Sequence, residues 1–206
     1  MSAIWRSQQR QTAAYFDKLA LSRHPDHTVG DWGNKIAQLT RFRVLAELAT
    51  LTNLSVLDVG CGLTHFADYI NSYFEGIRYT GIDISAKCVE VAQHLYPERD
   101  IQHIDLFNYK TDTTFDIVIA NGLFYLLKNN SEQQMYSIVQ HLFDLTHFAL
   151  AFSSLSISDD IHTNNDEFRA DPLLIFDYCR SLTPWVTLRH DYHPGDFIIY
   201  MYKEQP

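Results

Sequence analysis

Val56-Leu57-Asp58-Val59-Gly60-Cys61-Gly62-Leu63-Thr64-His65-Phe66 reads as an apolar strand running into a glycine turn and then a helix. Gly60 takes the tight turn without a Cβ penalty, and Gly62 lets the backbone approach a ligand closely. About twenty residues on, Tyr79-Thr80-Gly81-Ile82-Asp83-Ile84 ends a second strand on a carboxylate. Asp83 is thereby placed to accept both hydroxyls of a ribose.

Outward from this unit the pattern repeats. Short apolar runs at Ser55–Val59, Arg78–Ile82, Ile101–Ile104, Phe115–Ala120 and Ala149–Phe152 read as strands, with helix-compatible stretches between most of them. Such alternation predicts a parallel sheet. The end differs: Trp185–His190 and Phe197–Lys203 are strand-like runs joined by Asp191-Tyr192-His193-Pro194-Gly195-Asp196, too short for a crossover helix, so an antiparallel hairpin closes the sheet. Before the first strand, Ala3 to Ala20 spaces Trp5, Tyr15, Phe16 and Leu19 as a helix, and Lys35 to Leu51 spaces Ile36, Leu39, Phe42, Leu45 and Leu48 as another. Ser153 to Asp171, rich in Asp and Asn, reads as a polar flap.

The 206 residues, 46% of them hydrophobic, suit one α/β domain over 1–206, with 1–51 as a helical lid and 52–206 as the core. A formal net charge of -9 and a pI near 5.5 repel phosphate backbones, and no Lys/Arg run supplies a basic patch. DNA is excluded as a partner and RNA is disfavoured. Cys61, Cys88 and Cys179 are widely spaced with no CxxC, which points to a reducing, cytoplasmic setting without disulfides or zinc. No His/Asp/Glu cluster has metal-ligand spacing, and no run has the length of a membrane span. The oligomeric state is not legible.

The glycine turn and Asp83 fit two ligand classes, and Asp58 separates them. A nicotinamide dinucleotide needs amides pointing at pyrophosphate, which a carboxylate two residues before Gly60 repels. S-adenosylmethionine carries an ammonium and a sulfonium and no phosphate, so Asp58 favours it. Asp58-Val59-Gly60-Cys61-Gly62 resembles motif I of the class I S-adenosylmethionine-dependent methyltransferases. Asp105-Leu106 resembles the pair that receives the adenine amino group and ring nitrogen. Phe115-Asp116-Ile117-Val118-Ile119-Ala120-Asn121-Gly122 resembles the fourth strand with its substrate-side end. Asp31-Trp32-Gly33 with Gln38 and Arg41-Phe42, and Leu188-Arg189-His190-Asp191-Tyr192 near the end, resemble a bacterial subgroup acting on small molecules.

The resemblance implies a three-layer Rossmann-like sandwich: a mostly parallel seven-stranded sheet, an antiparallel C-terminal hairpin strand, and N-terminal helices as a lid. It implies a cofactor site of Asp58, Gly60, Cys61, Gly62, Thr64, Asp83, Ile84, Asp105, Leu106, Asn121 and Gly122. Thr64 stands where a third glycine is common, narrowing the methionine pocket or donating its hydroxyl to the carboxylate. Arg41 on the helix before the core is placed to meet that methionine carboxylate. Tyr15 or Phe16, and Trp32, Phe124, Tyr125 and Tyr192, are expected on the acceptor side.

The reaction implied is in-line methyl transfer to an oxygen, nitrogen or sulfur of a small molecule or other non-DNA acceptor, in which alignment supplies much of the rate. Asn121-Gly122-Leu123-Phe124 lacks the Pro-Pro-aromatic element that grips nucleobase amines. His193 in the hairpin turn is the candidate for proton removal, against a plain role in shaping the turn. Other readings compete: a module of the same fold that binds the cofactor without turnover, an RNA methyltransferase, and a dinucleotide oxidoreductase, which Asp58 and the closing hairpin both oppose.

Overall fold

Ser55–Val59, Phe115–Ala120, Thr146–Leu155 and Asp196–Tyr202 are buried on both faces, which a sheet covered by helices accommodates. The computed structural model describes residues 3–22, 26–30, 33–158 and 166–206. Its strands are β1 (Ser55–Val59), β2 (Arg78–Asp83), β3 (Asp100–His103), β4 (Phe115–Ala120), β5 (Thr146–Leu155), β6 (Val186–Arg189) and β7 (Asp196–Tyr202). They form one seven-stranded sheet in the order β3-β2-β1-β4-β5-β7-β6. The helices are α1 (Ala3–Ser22), α2 (Lys35–Ala46), α3 (His65–Asn71), α4 (Ala86–Leu95), α5 (Ser131–Asp144) and α6 (Pro172–Leu182).

Strand alternation sorts the core into two layers. Val118, Leu150 and Phe152 point toward α5 and α6, where Met135, Ile138, Leu142 and Ile175 meet them. Ile117, Ile119, Ala149 and Ala151 point the other way, onto Phe42 and Leu45 of α2 and Phe66 and Ile70 of α3. Thus α2 is built into the core, while α1 packs on α4. Caps set where the helices begin: Asn34 Oδ1 accepts from the Ala37 amide at 2.8 Å, and Asp171 accepts from Leu173 and Leu174 with Pro172 in the first turn.

Strand direction places the site. β1 to β5 run parallel, β7 runs against β5, and β6 runs against β7. β6 is therefore parallel to β1, and the turn leaving it opens on the same rim as the Gly60 turn. The expected order of layers and the closing hairpin are both present.

Two boundaries need correction. The polar flap was expected from Ser153, but β5 continues to Leu155 because β7 pairs along its whole end, Ser153 with Ile198 and Leu155 with Asp196. The flap is further tied back by a bridge between Ser156 and Ala170. Pairing satisfies the backbone of Ser153 and Ser154 inside the sheet, so their polar side chains do not end the strand. The second helix stops at Ala46 instead of Leu51, although Leu48 and Leu51 stay buried beyond its end.

Candidate active site

The β1–α3 turn has three left-handed residues: Gly60 (φ +75°), Gly62 (φ +53°) and Thr64 (φ +60°). The amides of Gly60 and Cys61 donate to the Ile82 carbonyl at 2.8 and 3.2 Å, pinning the turn to β2. A Cβ on Gly62 would meet nothing within 4 Å, so the glycine faces open space. That space is a cavity of about 430 Å³ along the C-terminal rim of the sheet. β1 and β2 line it with Asp58, Gly60, Cys61, Gly62, Asp83 and Ile84, β4 with Asn121 and Gly122, and β5 with Ser153 and Ser154. Helix α1 reaches it through Thr12 and Phe16, and α2 through Gln38 and Arg41.

A narrower slot of about 60 Å³ shares Gly60, Asp83 and Ile84 with this cavity and is walled by Trp5, Ile104, Leu106 and Leu127. Trp5, Gln8 and Thr12 of α1 form one helical stripe over the slot. Two anchors hold that helix down. Asp17 accepts from the Ser85 hydroxyl and the Lys87 amide at 2.7 and 3.0 Å, and Gln8 accepts from the Lys128 amide at 3.2 Å.

Two carboxylates dominate the cofactor end. Asp83 accepts from the Gly62 amide at 2.8 Å and the Ser85 amide at 2.7 Å; burial raises its pKa and these amides oppose the rise. Asp58, 3% exposed, accepts from the Tyr79 hydroxyl at 2.7 Å. Burial pushes it up to about 7, the Tyr79 bond works against this, and Asp83 adds to it.

A sequence profile of the methyltransferase domain matches residues 57–172, more than half of the chain. The chain belongs to the S-adenosylmethionine-dependent methyltransferase family. A Mycobacterium tuberculosis protein named as a methyltransferase is 28% identical over 155 residues, which cover 72% of this chain and 93% of the relative. Magnesium protoporphyrin IX methyltransferase of Synechocystis, solved with S-adenosylmethionine, superimposes with a TM-score of 0.68 at 15% identity, covering 96% of this chain and 97% of its own. The S-adenosylhomocysteine complex of DhpI gives 0.70 at 15% identity over the same shares. At such identity the two structures speak for the fold.

The methyltransferase cofactor suits the residues present. An apolar slot ending beside Asp83 matches a flat base joined to a ribose, and Asp58 offers a negative group next to open backbone at Gly62.

Several expected residues stand elsewhere in this methyltransferase. Thr64 is fully buried and accepts from Arg99 Nη1 at 2.7 Å, away from the cavity, so it neither narrows the pocket nor meets a carboxylate. Asp105 caps its own 3₁₀ turn, accepting from the Phe107 amide at 2.8 Å, and only Leu106 of the pair walls the slot. Arg41 does line the cavity, but Nε and Nη2 both lie 2.7 Å from Asp196 Oδ2 and Nη1 donates to the Ala37 carbonyl. Phe124 touches the cavity from within the core, and Tyr125 lines it with Phe16 edge-on to its ring. Tyr15 lies outside the lining, 38% exposed, with Phe16 in the position expected of it. Tyr192 sits behind the wall with its hydroxyl on Asp196. Trp32 lies outside the described residues.

His193 does reach the cavity rim. Its Nδ1 accepts from the Gly195 amide at 3.1 Å. In the neutral ring the hydrogen then sits on Nε2, which donates and does not accept. Other lining groups went unassigned in the sequence: Gln38, Asp196 and Glu167, Ser153, and His65, whose pKa burial lowers while Asp68 and Asp26 oppose. Ser153 Oγ donates to Asn121 Oδ1 at 2.8 Å and accepts from the Gly122 amide at 2.9 Å, which locks the end of β4. Among the described residues no group of three His, Cys, Asp or Glu could hold a metal, and no helix is long and apolar enough to cross a membrane.

Proposed function

We propose that this methyltransferase methylates an oxygen, nitrogen or sulfur of a small molecule held between α2, the β5 end and the β6–β7 turn. One observation carries the reading: the slot beside Trp5 on α1 and the cavity that reaches His193 on the hairpin share the walls Thr12, Gly60, Asp83 and Ile84, so a cofactor and an acceptor have adjoining places. S-adenosylmethionine, when bound, supplies an electrophilic methyl carbon on a positively charged sulfur. Asp83 accepts the ribose hydroxyls, with Cys61 and Ile84 beside it, while Ile84, Leu106 and Trp5 sandwich the base. Gly60 and Gly62 admit the close approach, and Asp58 balances the ammonium. Asn121 and Gly122, fixed by Ser153, form the wall against which the acceptor is aligned, and Phe16 and Tyr125 exclude water from it. His193 donates from Nε2 to orient the acceptor at the rim, and alignment supplies most of the rate.

The lid is α1 alone; α2, expected with it over 1–51, packs into the core with the strands. A net charge of -9 and the absence of a basic run in the sequence argue against nucleic acid as substrate. Three buried, unbridged cysteines fit a reducing cytoplasm. Calorimetry with S-adenosylhomocysteine tests the cofactor half. Asp83→Ala should weaken binding by at least about tenfold, because two charge-assisted hydrogen bonds are lost. Unchanged affinity removes Asp83 from the site.

A further inference from the structure

Charge is unevenly distributed over the larger cavity. Asp58, Asp83, Glu167 and Asp196 reach it, against one guanidinium among the described lining residues, that of Arg41. Arg41 is already forked onto Asp196 Oδ2, with both nitrogens at 2.7 Å, so its charge is matched within the wall. Asp58 and Asp83 end β1 and β2 at the cofactor side. Glu167 comes from the flap and Asp196 from the start of β7, on the acceptor side; Asn121, Ser153 and Ser154 between them are neutral.

From this lining we infer that the acceptor is a small amine, an inference that rests on the methyl-transfer reading above. Methyl transfer moves one positive charge from sulfur to the acceptor atom. A carboxylate or phenolate acceptor would have to bring an anion in beside carboxylates that lack a spare cation, at a Coulombic cost in a partly dry site. An amine nitrogen starts the transfer neutral and finishes it as a cation, so fixed carboxylates near it favour the end of the reaction over its start. The balance is simple. The acceptor enters as an ammonium and gives one proton to Glu167, which passes it to water. The nitrogen lone pair then forms the N–C bond as the C–S bond breaks, that pair stays on sulfur, and the methylated ammonium leaves with the charge. Glu167 suits the relay because its side chain is 24% exposed and meets Arg169 Nη2 at a loose 3.3 Å. Asp196, 2% exposed and accepting from both Arg41 and Tyr192, is spent on that pair and leaves Glu167 as the carboxylate that faces the acceptor.

Calorimetry on the protein saturated with S-adenosylhomocysteine tests this with one skeleton in three charge states: phenethylamine, 2-phenylethanol and phenylacetate. The amine should bind about tenfold tighter than the alcohol, and phenylacetate more weakly than either. Glu167→Gln should narrow the gap between amine and alcohol and leave S-adenosylhomocysteine affinity alone. In lysate supplied with methyl-labelled S-adenosylmethionine, label should enter metabolites retained by a cation exchanger and disappear when lysate amines are acetylated beforehand. Label in a base-labile ester or a neutral ether, or preference for phenylacetate, overturns the amine acceptor while leaving cofactor binding intact. A protein that does not bind S-adenosylhomocysteine at all strikes the methyl-transfer reading instead.

Discussion

Replacing Asp58 with asparagine should change how stability depends on pH, because that carboxyl is held far from its ordinary range. It is 3% exposed with one hydroxyl donor, and burial takes it from 3.8 to about 7. The displacement is roughly three decades of proton affinity, or about 4 kcal/mol at about 1.36 kcal/mol per decade. Its sign follows from proton counts. From about pH 4 to about pH 7 the unfolded chain has released this proton while the folded chain keeps it, so stability falls as pH rises and then levels off. Asp58→Asn removes that contribution. Urea denaturation near pH 4.5, 6 and 8 should show wild type losing up to about 3 kcal/mol relative to the variant across the series, since the remainder lies below about pH 4.5. A cationic cofactor beside Asp58 favours its charged form, so binding near pH 7 should release up to about half a proton. Calorimetry in buffers of different ionisation enthalpy reads this release, which should vanish near pH 8.5. Parallel pH profiles for the two proteins, with no buffer dependence near pH 7, would refute a titrating Asp58.

Arg41→Met leaves Asp196 buried without its partner and should cost about 3–5 kcal/mol in urea denaturation, with most of it recovered in the Arg41→Met/Asp196→Leu double variant. Equal midpoints for wild type and the single variant would mean that the pair does not staple α2 to the hairpin. Trp5→Ala opens the slot on its α1 side and should weaken S-adenosylhomocysteine binding by about tenfold, since a large aromatic contact is lost. Unaltered calorimetric affinity would take α1 out of the cofactor site. His193→Gln should change turnover by no more than a few-fold, since Nδ1 is occupied by the Gly195 amide. A loss beyond about a hundredfold with cofactor affinity intact would return the proton-removal role to His193.

The order of elements, the ligand rim and the cofactor class were all legible in the chain, because each follows from local rules. Short apolar runs separated by helical spacing make a covered parallel sheet, the short link at 191–196 forces a hairpin, and a carboxylate before a glycine turn selects a cation over a pyrophosphate. Strands β1 and β4 fall where the sequence placed them, Ser55–Val59 and Phe115–Ala120. What the chain alone did not reveal was which side chains meet across long separations. Arg41 and Asp196 are 155 residues apart, and only the packing of α2 against the end of β7 turns an expected carboxylate-binding arginine into half of an internal ion pair. Thr64 follows the same logic: its place beside Gly62 suggested the pocket, but the left-handed turn faces it toward Arg99 on the far side. Ser153 and Ser154 read as flap because polarity is a local property, whereas the β7 backbone that draws them into the sheet lies more than forty residues further along the chain. Local spacing determines what each segment can form; the folded sheet decides which buried charges and hydroxyls neutralise one another, and so which of them are left to face a ligand.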